Sequence, residues 1–388
     1  MEEAVIVATA RTPIGRAYKG SLINYRADDL AGFIVDDLLK KAPALDRSEI
    51  DDVIIGAANH VGEQSFNLGR NVAALAGIPD TVPGTTVNRF CASSLQSIRM
   101  AFHAIAVGEG TAFVAGGVES VSRTMGVGFR TEDLNPRFTD HSRPDFINEM
   151  YIAMGMTAEN VAEMYDVSRQ DMDAFAKLSQ DRAVEAQANG FFEREITPVT
   201  LPDGTVASKD DGPRAGTTLE RLAELKPAFK EGGKVTAGNA CPLNDGAAAV
   251  LVMSRSKAEA LGLKPIARIV ASAVTGLAPE IMGVGPIEAV RKVLGMAKMS
   301  IGDIDVVELN EAFAAQVLPV CRELGISIED QLNPHGGAIA LGHPFGMTGA
   351  RIMTTLLNDL TTMDKTIGLE TMCVGGGQGM AMIVERLN

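Results

Sequence analysis

An α/β fold built from two related halves, with a segment inserted between them, is what this sequence predicts, and three observations carry the prediction. Short apolar, β-rich runs alternate with helical spacings at both ends of the chain. The first and last thirds repeat one order of elements, and residues 120 to 246 break that order. With 388 residues and a prior of roughly 150 residues per domain, two or three compact units are expected.

The run AVIVA is a strand, and Ala27 to Leu39 follows as a helix with Leu30, Phe33, Ile34 and Leu38 on one face. DDVIIGAAN and GTTVNRF read as the next strands. After Cys91 a helix carries the stripe Leu95, Ile98, Phe102, Ile105, and TAFVAGGVES closes the unit as a strand. The last third offers the strand DIDVVELNEAF, the glycine-rich turn LNPHGGAIALGHPFG, and a helix from Met347 to Leu360 with Ile352, Met353, Leu356 and Leu360 aligned. The strand IGLETMCVGGGQGM completes it. AFVAGGVES and TMCVGGGQG are both apolar strands that break into glycines after a helix, which favours duplication over two unrelated α/β units sharing a common grammar. Between them come an Arg, Asp and Pro cluster at 130 to 145, charged helices at 157 to 189 and a hairpin-like stretch, LPDGTVASKDDGPRAG. The segment AAAVLVMSRSKAEALG then returns to the sheet as a strand and a charged helix. The expected divisions are 1–119 with 247–266 for the first half, 120–246 for the insert and 267–388 for the second half.

Hydrophobic residues make up 46% and charged residues 22%, an ordinary globular balance that excludes disordered, collagen-like and coiled-coil chains. Thirty-five Lys and Arg against 49 Asp and Glu give a net charge of −14, which argues against nucleic-acid partners and anionic membranes. A local basic pocket for one anionic ligand stays open. The start, MEEAVIVATARTP, is acidic where a secretory leader is basic, and no apolar run approaches the ~18 residues of a membrane span, so a cytoplasmic protein is expected. Cys91, Cys241, Cys321 and Cys373 have no C-x-x-C spacing, and the five histidines show no paired ligand spacing, so neither a disulfide frame nor a metal site is expected.

Cys91 stands where a strand gives way to a helix; unpaired N–H groups and the helix dipole there favour a thiolate nucleophile, against the alternative of a small buried filler. Cys373 ends a strand directly before Gly375, Gly376 and Gly377, whose backbone could direct an N–H at a ligand carbonyl. The GGGQG run leaves too little chain for a dinucleotide-binding βαβ unit. His343 sits in a Gly/Pro-rich loop that suits a functional group on a rigid scaffold. For Asn310 and Glu311, in ELNEAFAA, spacing alone predicts a cap on the next helix.

Together ARTPIGR, VNRFCASS, AGGVESVSR, MTAENVAE, LKPAF, TAGNACPLNDGAAA, GPIEAV, ELNEAFAA, NPHGGAIALGHPFGMTGAR and MCVGGGQG resemble the thiolase family along essentially the whole chain, bacterial 3-ketoacyl-CoA thiolases of fatty-acid β-oxidation most of all. The resemblance implies a thiolase-like fold, two βαβαβαββ halves in a five-layered αβαβα sandwich, with a loop domain covering coenzyme A. It implies that Cys91 attacks the keto carbonyl, that His343 takes its proton, and that Cys373 protonates the departing acetyl-CoA enolate and then deprotonates incoming CoA. His343 with a water held by Asn310 would form one oxyanion hole, and the N–H groups of Cys91 and Gly375 the other. Arg214, Ala237, Gly238 and Cys241 match coenzyme A-binding positions. CoA is then a substrate and no cofactor is needed; family members are homodimers or homotetramers, some joined to a multifunctional β-oxidation partner.

The sequence departs from the family pattern at four places. Cys241 replaces Ser and is expected to be a bystander, Pro242 replaces Gly, and His335 replaces Asn. Ala153, beside Met154, replaces the His of short-chain acetoacetyl-CoA thiolases, predicting a roomier acyl pocket. The leading expectation is degradative 3-ketoacyl-CoA cleavage; the alternatives are acetoacetyl-CoA condensation and, more remotely, a non-catalytic acyl-CoA binder. A decarboxylating condensing enzyme would carry His where Cys373 stands.

Overall fold

The computed structural model describes residues 2–127, 130–143 and 145–387, so Pro144 of the 130–145 cluster lies outside the described residues. The first half runs β1 (Ala4–Arg11), α1 (Ala27–Lys40), β2 (Asp52–Gly56), α2 (Leu68–Leu75), β3 (Gly84–Val87), α3 (Ser93–Val107) and β4 (Ala112–Ser120). The chain then leaves the sheet for helices α4 (Met154–Met164) and α5 (Arg169–Ala188) and a hairpin that pairs Val199–Thr200 with Val206–Ala207. It returns as β5 (Asn244–Ser254). The second half follows as β6 (Ala267–Gly276), α6 (Gly285–Ala297), β7 (Val306–Leu309), α7 (Ala314–Leu324), α8 (Thr348–Thr362), β8 (Ile367–Val374) and β9 (Gln378–Arg386).

Strand order is β7-β8-β9-β6-β1-β5-β4-β2-β3. In the first half β3, β2 and β4 are parallel neighbours, β5 is antiparallel to β4, and β1 is antiparallel to β5. In the second, β7 and β8 are parallel, β9 is antiparallel to β8, and β6 is antiparallel to β9. A parallel bridge from Val307 to Leu332 stands where the first half has β3. Both halves are therefore βαβαβαββ units of one topology, which is the duplication read from the two glycine-terminated strands. They meet where Val5 pairs with Arg268 and Ile6 with Ala267.

Burial divides into three cores that define five layers. Leu30, Ile34 and Leu38 of α1, with Leu68 and Val72 of α2, cover the outer face of the first sheet half. Val290, Val293, Val317 and Val320 of α6 and α7 cover that of the second, and α4 and α5 of the insert join this core through Val161, Met172 and Phe175. Between the halves lie Leu95, Ile98 and Ile105 of α3 and Ile352, Met353, Leu356 and Leu360 of α8, all fully buried. These are the stripes the spacing predicted, with Phe102, like Phe33 of the α1 stripe, only partly buried. The two central helices touch closely because Gly349 faces Leu95: a Cβ there would stand 2.3 Å from the Leu95 backbone nitrogen. Among the described residues no helix is long and apolar enough to cross a membrane.

Candidate active site

Cys91 comes from the first half, just after β3, and His343 and Cys373 from the second, in the loop before α8 and at the end of β8. Cys91 lies in the 3-10 turn Phe90–Ala92 that opens α3. Phe90 holds a φ of 45°, a conformation that costs a bulky residue about 1–3 kcal/mol and persists only when its surroundings fix it. They do: Asn88 Oδ1 accepts from the Phe90 N–H at 2.8 Å, and the Ser93 hydroxyl donates to the Phe90 carbonyl at 2.7 Å while accepting from the Arg89 N–H at 2.9 Å. Arg89 then reaches across the halves, its Nη1 donating to Gln378 Oε1 at 2.7 Å. That bond ties the Cys91 turn to the start of β9, immediately after the second half's glycines.

Cys91 sits at a helix N-terminus as predicted, but its thiol is not acidic. Burial pushes its pKa up to about 12, and the N–H groups of Gly375 and of Cys91 itself, which face the sulfur, only partly offset this. Desolvation of a thiolate outweighs one turn of helix dipole. Glu119 adds to the rise; this buried carboxylate holds β4 to the His343 loop by accepting from the N–H groups of Ala58, Asn59 and Gly346 and from Gln64 Nε2.

His343 is buried in the loop before α8. The Thr348 hydroxyl gives its single proton to the Pro344 carbonyl at 2.9 Å, so at 2.7 Å from His343 Nδ1 it must accept. Nδ1 therefore carries the ring proton and Nε2 is bare. Burial, then the charge of Arg351, push the His343 pKa down to about 3, so the ring is neutral and Nε2 presents an unprotonated lone pair at ordinary pH. Asn310 Nδ2 donates to that nitrogen at 3.3 Å. This corrects the cap expected of Asn310: α7 begins after Phe313 with no side-chain cap, and Asn310 is turned into the protein with its Oδ1 buried and unpartnered. Glu311 is no cap either; it accepts from Ser179 Oγ, Asn333 Nδ2 and the Ile339 N–H. Chain direction after β7, invisible to spacing, decides this.

Cys373 is buried at the end of β8, its thiol donating to Gln316 Oε1 at 3.6 Å. Burial, then the neighbouring Cys91 and Cys241, hold it protonated. Gln316 has no counterpart in the sequence reading; its one signal is a polar residue on the apolar stripe AAQVLPV. Cys241 lies with these two thiols, close enough to couple to both, and is raised by burial and then by Cys91. Cys321 is elsewhere, in the core of the second half.

Arg214, Ala237 and Gly238 line one groove of about 330 Å³ together with Gln180, Arg221 and Pro242. Cys241, predicted with them, is not in its wall. Burial and then nearby Arg16, which is not in the wall, push the Arg214 guanidinium below its usual pKa. Ala153 is exposed just before α4, and Met154 is half-buried against the second core. His335 belongs to neither site: its ring stacks on Phe191 at 3.5 Å and its Nδ1 lies 2.5 Å from Asp359.

The chain resembles known proteins over its full length. Residues 4–256 match the family model described as thiolase, N-terminal domain, and residues 263–386 match thiolase, C-terminal domain. The β-ketoadipyl-CoA thiolase of Acinetobacter baylyi is 47% identical, with 100% of both chains covered. The 3-ketoacyl-CoA thiolase of Bacillus subtilis is 45% identical over 99% of this chain and 100% of its own. The crystal structure of the Bacillus anthracis acetyl-CoA acetyltransferase superposes with a TM-score of 0.91 at 40% identity, covering 100% of this chain and 99% of that one. Two thiols and a neutral histidine gathered from both duplicated halves thus go with family matches to both halves: the chain belongs to the thiolase family, and it is an acyltransferase.

Proposed function

We propose that the protein is a CoA-dependent 3-ketoacyl-CoA thiolase, releasing acetyl-CoA and a shortened acyl-CoA through an acyl-Cys91 intermediate. The observation that carries this reading is the bare Nε2 of His343, fixed by Thr348 and facing Asn310 in the same site as Cys91 and Cys373.

The raised thiol and the depressed imidazole point to a neutral resting pair. Proton transfer from Cys91 to His343 Nε2 then accompanies C–S bond formation, when negative charge moves to the keto oxygen instead of resting on sulfur. The N–H groups of Cys91 and Gly375 and the Asn310–His343 pair supply donors for such oxyanions. Cleavage leaves an acetyl-CoA enolate. Cys373, protonated in the resting site, donates its proton to that carbon and as thiolate removes the proton of the incoming CoA thiol, which takes the acyl group from Cys91 as the departing Cys91 thiolate recovers its proton from His343 Nε2. In this reading CoA is a substrate, no resident cofactor takes part, and Arg214 with Arg16 and Arg221 meets the anionic nucleotide end while Ala237 and Gly238 border the pantetheine.

The test is CoA-dependent acetyl-CoA release from 3-ketooctanoyl-CoA and acetoacetyl-CoA. Cleavage of both with preference for the longer substrate is expected; activity confined to acetoacetyl-CoA would transfer the protein to acetyl exchange, and activity with neither would refute the assignment. Thr348→Val, which keeps the shape but removes the acceptor of the Nδ1 proton, should lower kcat by about ten- to a hundredfold with little change in KM. An unchanged kcat would refute the role given to this tautomer.

A further inference from the structure

A second cavity, of about 830 Å³, opens beside the Cys91 donors. Its wall includes Gly376 and Gly377, the residues that follow the Gly375 N–H facing the Cys91 sulfur. The glycines are required there: both have positive φ, and a Cβ on Gly377 would stand 2.1 Å from the Leu277 carbonyl oxygen. An acyl group on Cys91 therefore has this cavity one residue away from the groups holding its carbonyl. The walls are Phe146, Ile147 and Met150 on one side and Leu277, Ala278 and Pro279 on the other. Ala153 and Met154, the predicted acyl-pocket residues, are not among them.

The polar groups of this wall share one character. Glu149 and Glu280 bring carboxylates, and Asn148 has a buried Oδ1 with no hydrogen-bond partner. His141 is committed to Glu149, its Nε2 3.2 Å from Oε1. Two guanidiniums, Arg137 and Arg143, sit 5.1 and 5.8 Å from the Phe146 ring centre and are not in the wall; Arg143 is paired with Asp145 at 2.7 Å. The cavity thus offers apolar surface and acceptors, with two carboxylates against one histidine.

We infer, on the basis of the thiolase reading above, that this cavity holds the acyl tail and selects uncharged acyl chains, rejecting tails that end in a carboxylate. A terminal carboxylate carries only acceptors and a negative charge; it would face Glu149 and Glu280, with no Lys or Arg among the described residues of the wall. The specificity thereby differs from what the name of the Acinetobacter baylyi relative, a β-ketoadipyl-CoA thiolase, states for that protein.

The experiment compares kcat/KM for 3-ketooctanoyl-CoA, 3-ketoadipyl-CoA and acetoacetyl-CoA in the wild type, Glu280→Gln and Glu280→Lys. Glu280 is half-exposed, so both variants are expected to fold. The wild type should favour the octanoyl over the adipyl substrate by about tenfold or more, and Glu280→Lys should raise the adipyl-to-octanoyl ratio by about tenfold, with Glu280→Gln between. A wild type that cleaves 3-ketoadipyl-CoA at least as well as 3-ketooctanoyl-CoA, or a ratio that ignores the charge at position 280, would overturn the inference. Either result with acetoacetyl-CoA still cleaved leaves the thiolase reading standing; no cleavage of any substrate refutes that reading instead.

Discussion

Cys91→Ala is expected to lose at least about three orders of magnitude in kcat/KM for 3-ketoacyl-CoA cleavage while retaining the fold. The substitution removes one sulfur from a half-buried turn whose geometry is held by Asn88, Ser93 and Arg89, none of which bonds to the thiol. The thiols that remain nearby cannot take over. Cys373 is buried against Gln316 and held protonated by burial and the neighbouring thiols, and Cys241 is likewise raised by burial. Neither has the Gly375 N–H directed at its sulfur; that donor belongs to Cys91. Two measurements check this. Steady-state rates give the loss, and intact-mass analysis after incubation with acyl-CoA but no free CoA should find an acyl adduct on the wild type and none on the variant. Activity within tenfold of wild type, with the fold intact by circular dichroism, would remove Cys91 from the mechanism.

Arg11→Ala should cost about 3–5 kcal/mol of stability, the range for leaving a buried charge without its partner. The guanidinium is fully buried, donates to Glu195 at 2.7 Å and forks onto Asp210 at 2.8 and 3.0 Å, with the Phe192 ring 5.4 Å away. Burial alone would lower its pKa, but the two carboxylates raise it above its usual value, so it is charged wherever the protein folds. Removing it leaves Glu195 and Asp210 without their cation in the interior. Arg11→Lys should recover only part of the loss, because one ammonium cannot reproduce a fork to two carboxylates. Urea unfolding checks both variants; a loss below about 1 kcal/mol for Arg11→Ala would mean that water or rearrangement replaces the pair.

The candidate site was legible in the sequence to different depths. Cys91 and Cys373 stood out as small nucleophilic residues at strand ends, and His343 as a polar residue in a glycine-rich loop; all three lie where those positions imply. Asn310 was misread by spacing, since a residue between a strand and a helix serves as a cap or turns inward according to the exit direction of the strand. Thr348 and Gln316 carried little or no local signal. Their importance comes from contacts: one with the far nitrogen of the His343 ring, the other with a thiol in a different strand. The thiol of Cys91 was placed correctly and its acidity was not, because the helix N-terminus is a local feature and desolvation a global one.

By itself the sequence determined the elements, their order and their repetition, for these rest on interactions within a few residues: apolar periodicity, turn-forming glycines and strands of β-branched residues. Only the tertiary structure decided how the halves join, through the short β1–β6 pairing and an Arg89–Gln378 bond spanning 289 residues. It also decided which ionisable groups are charged. Those outcomes depend on packing summed over the whole chain, which buries a thiol, a histidine and an ion triad together, and no local pattern encodes the dielectric in which they meet.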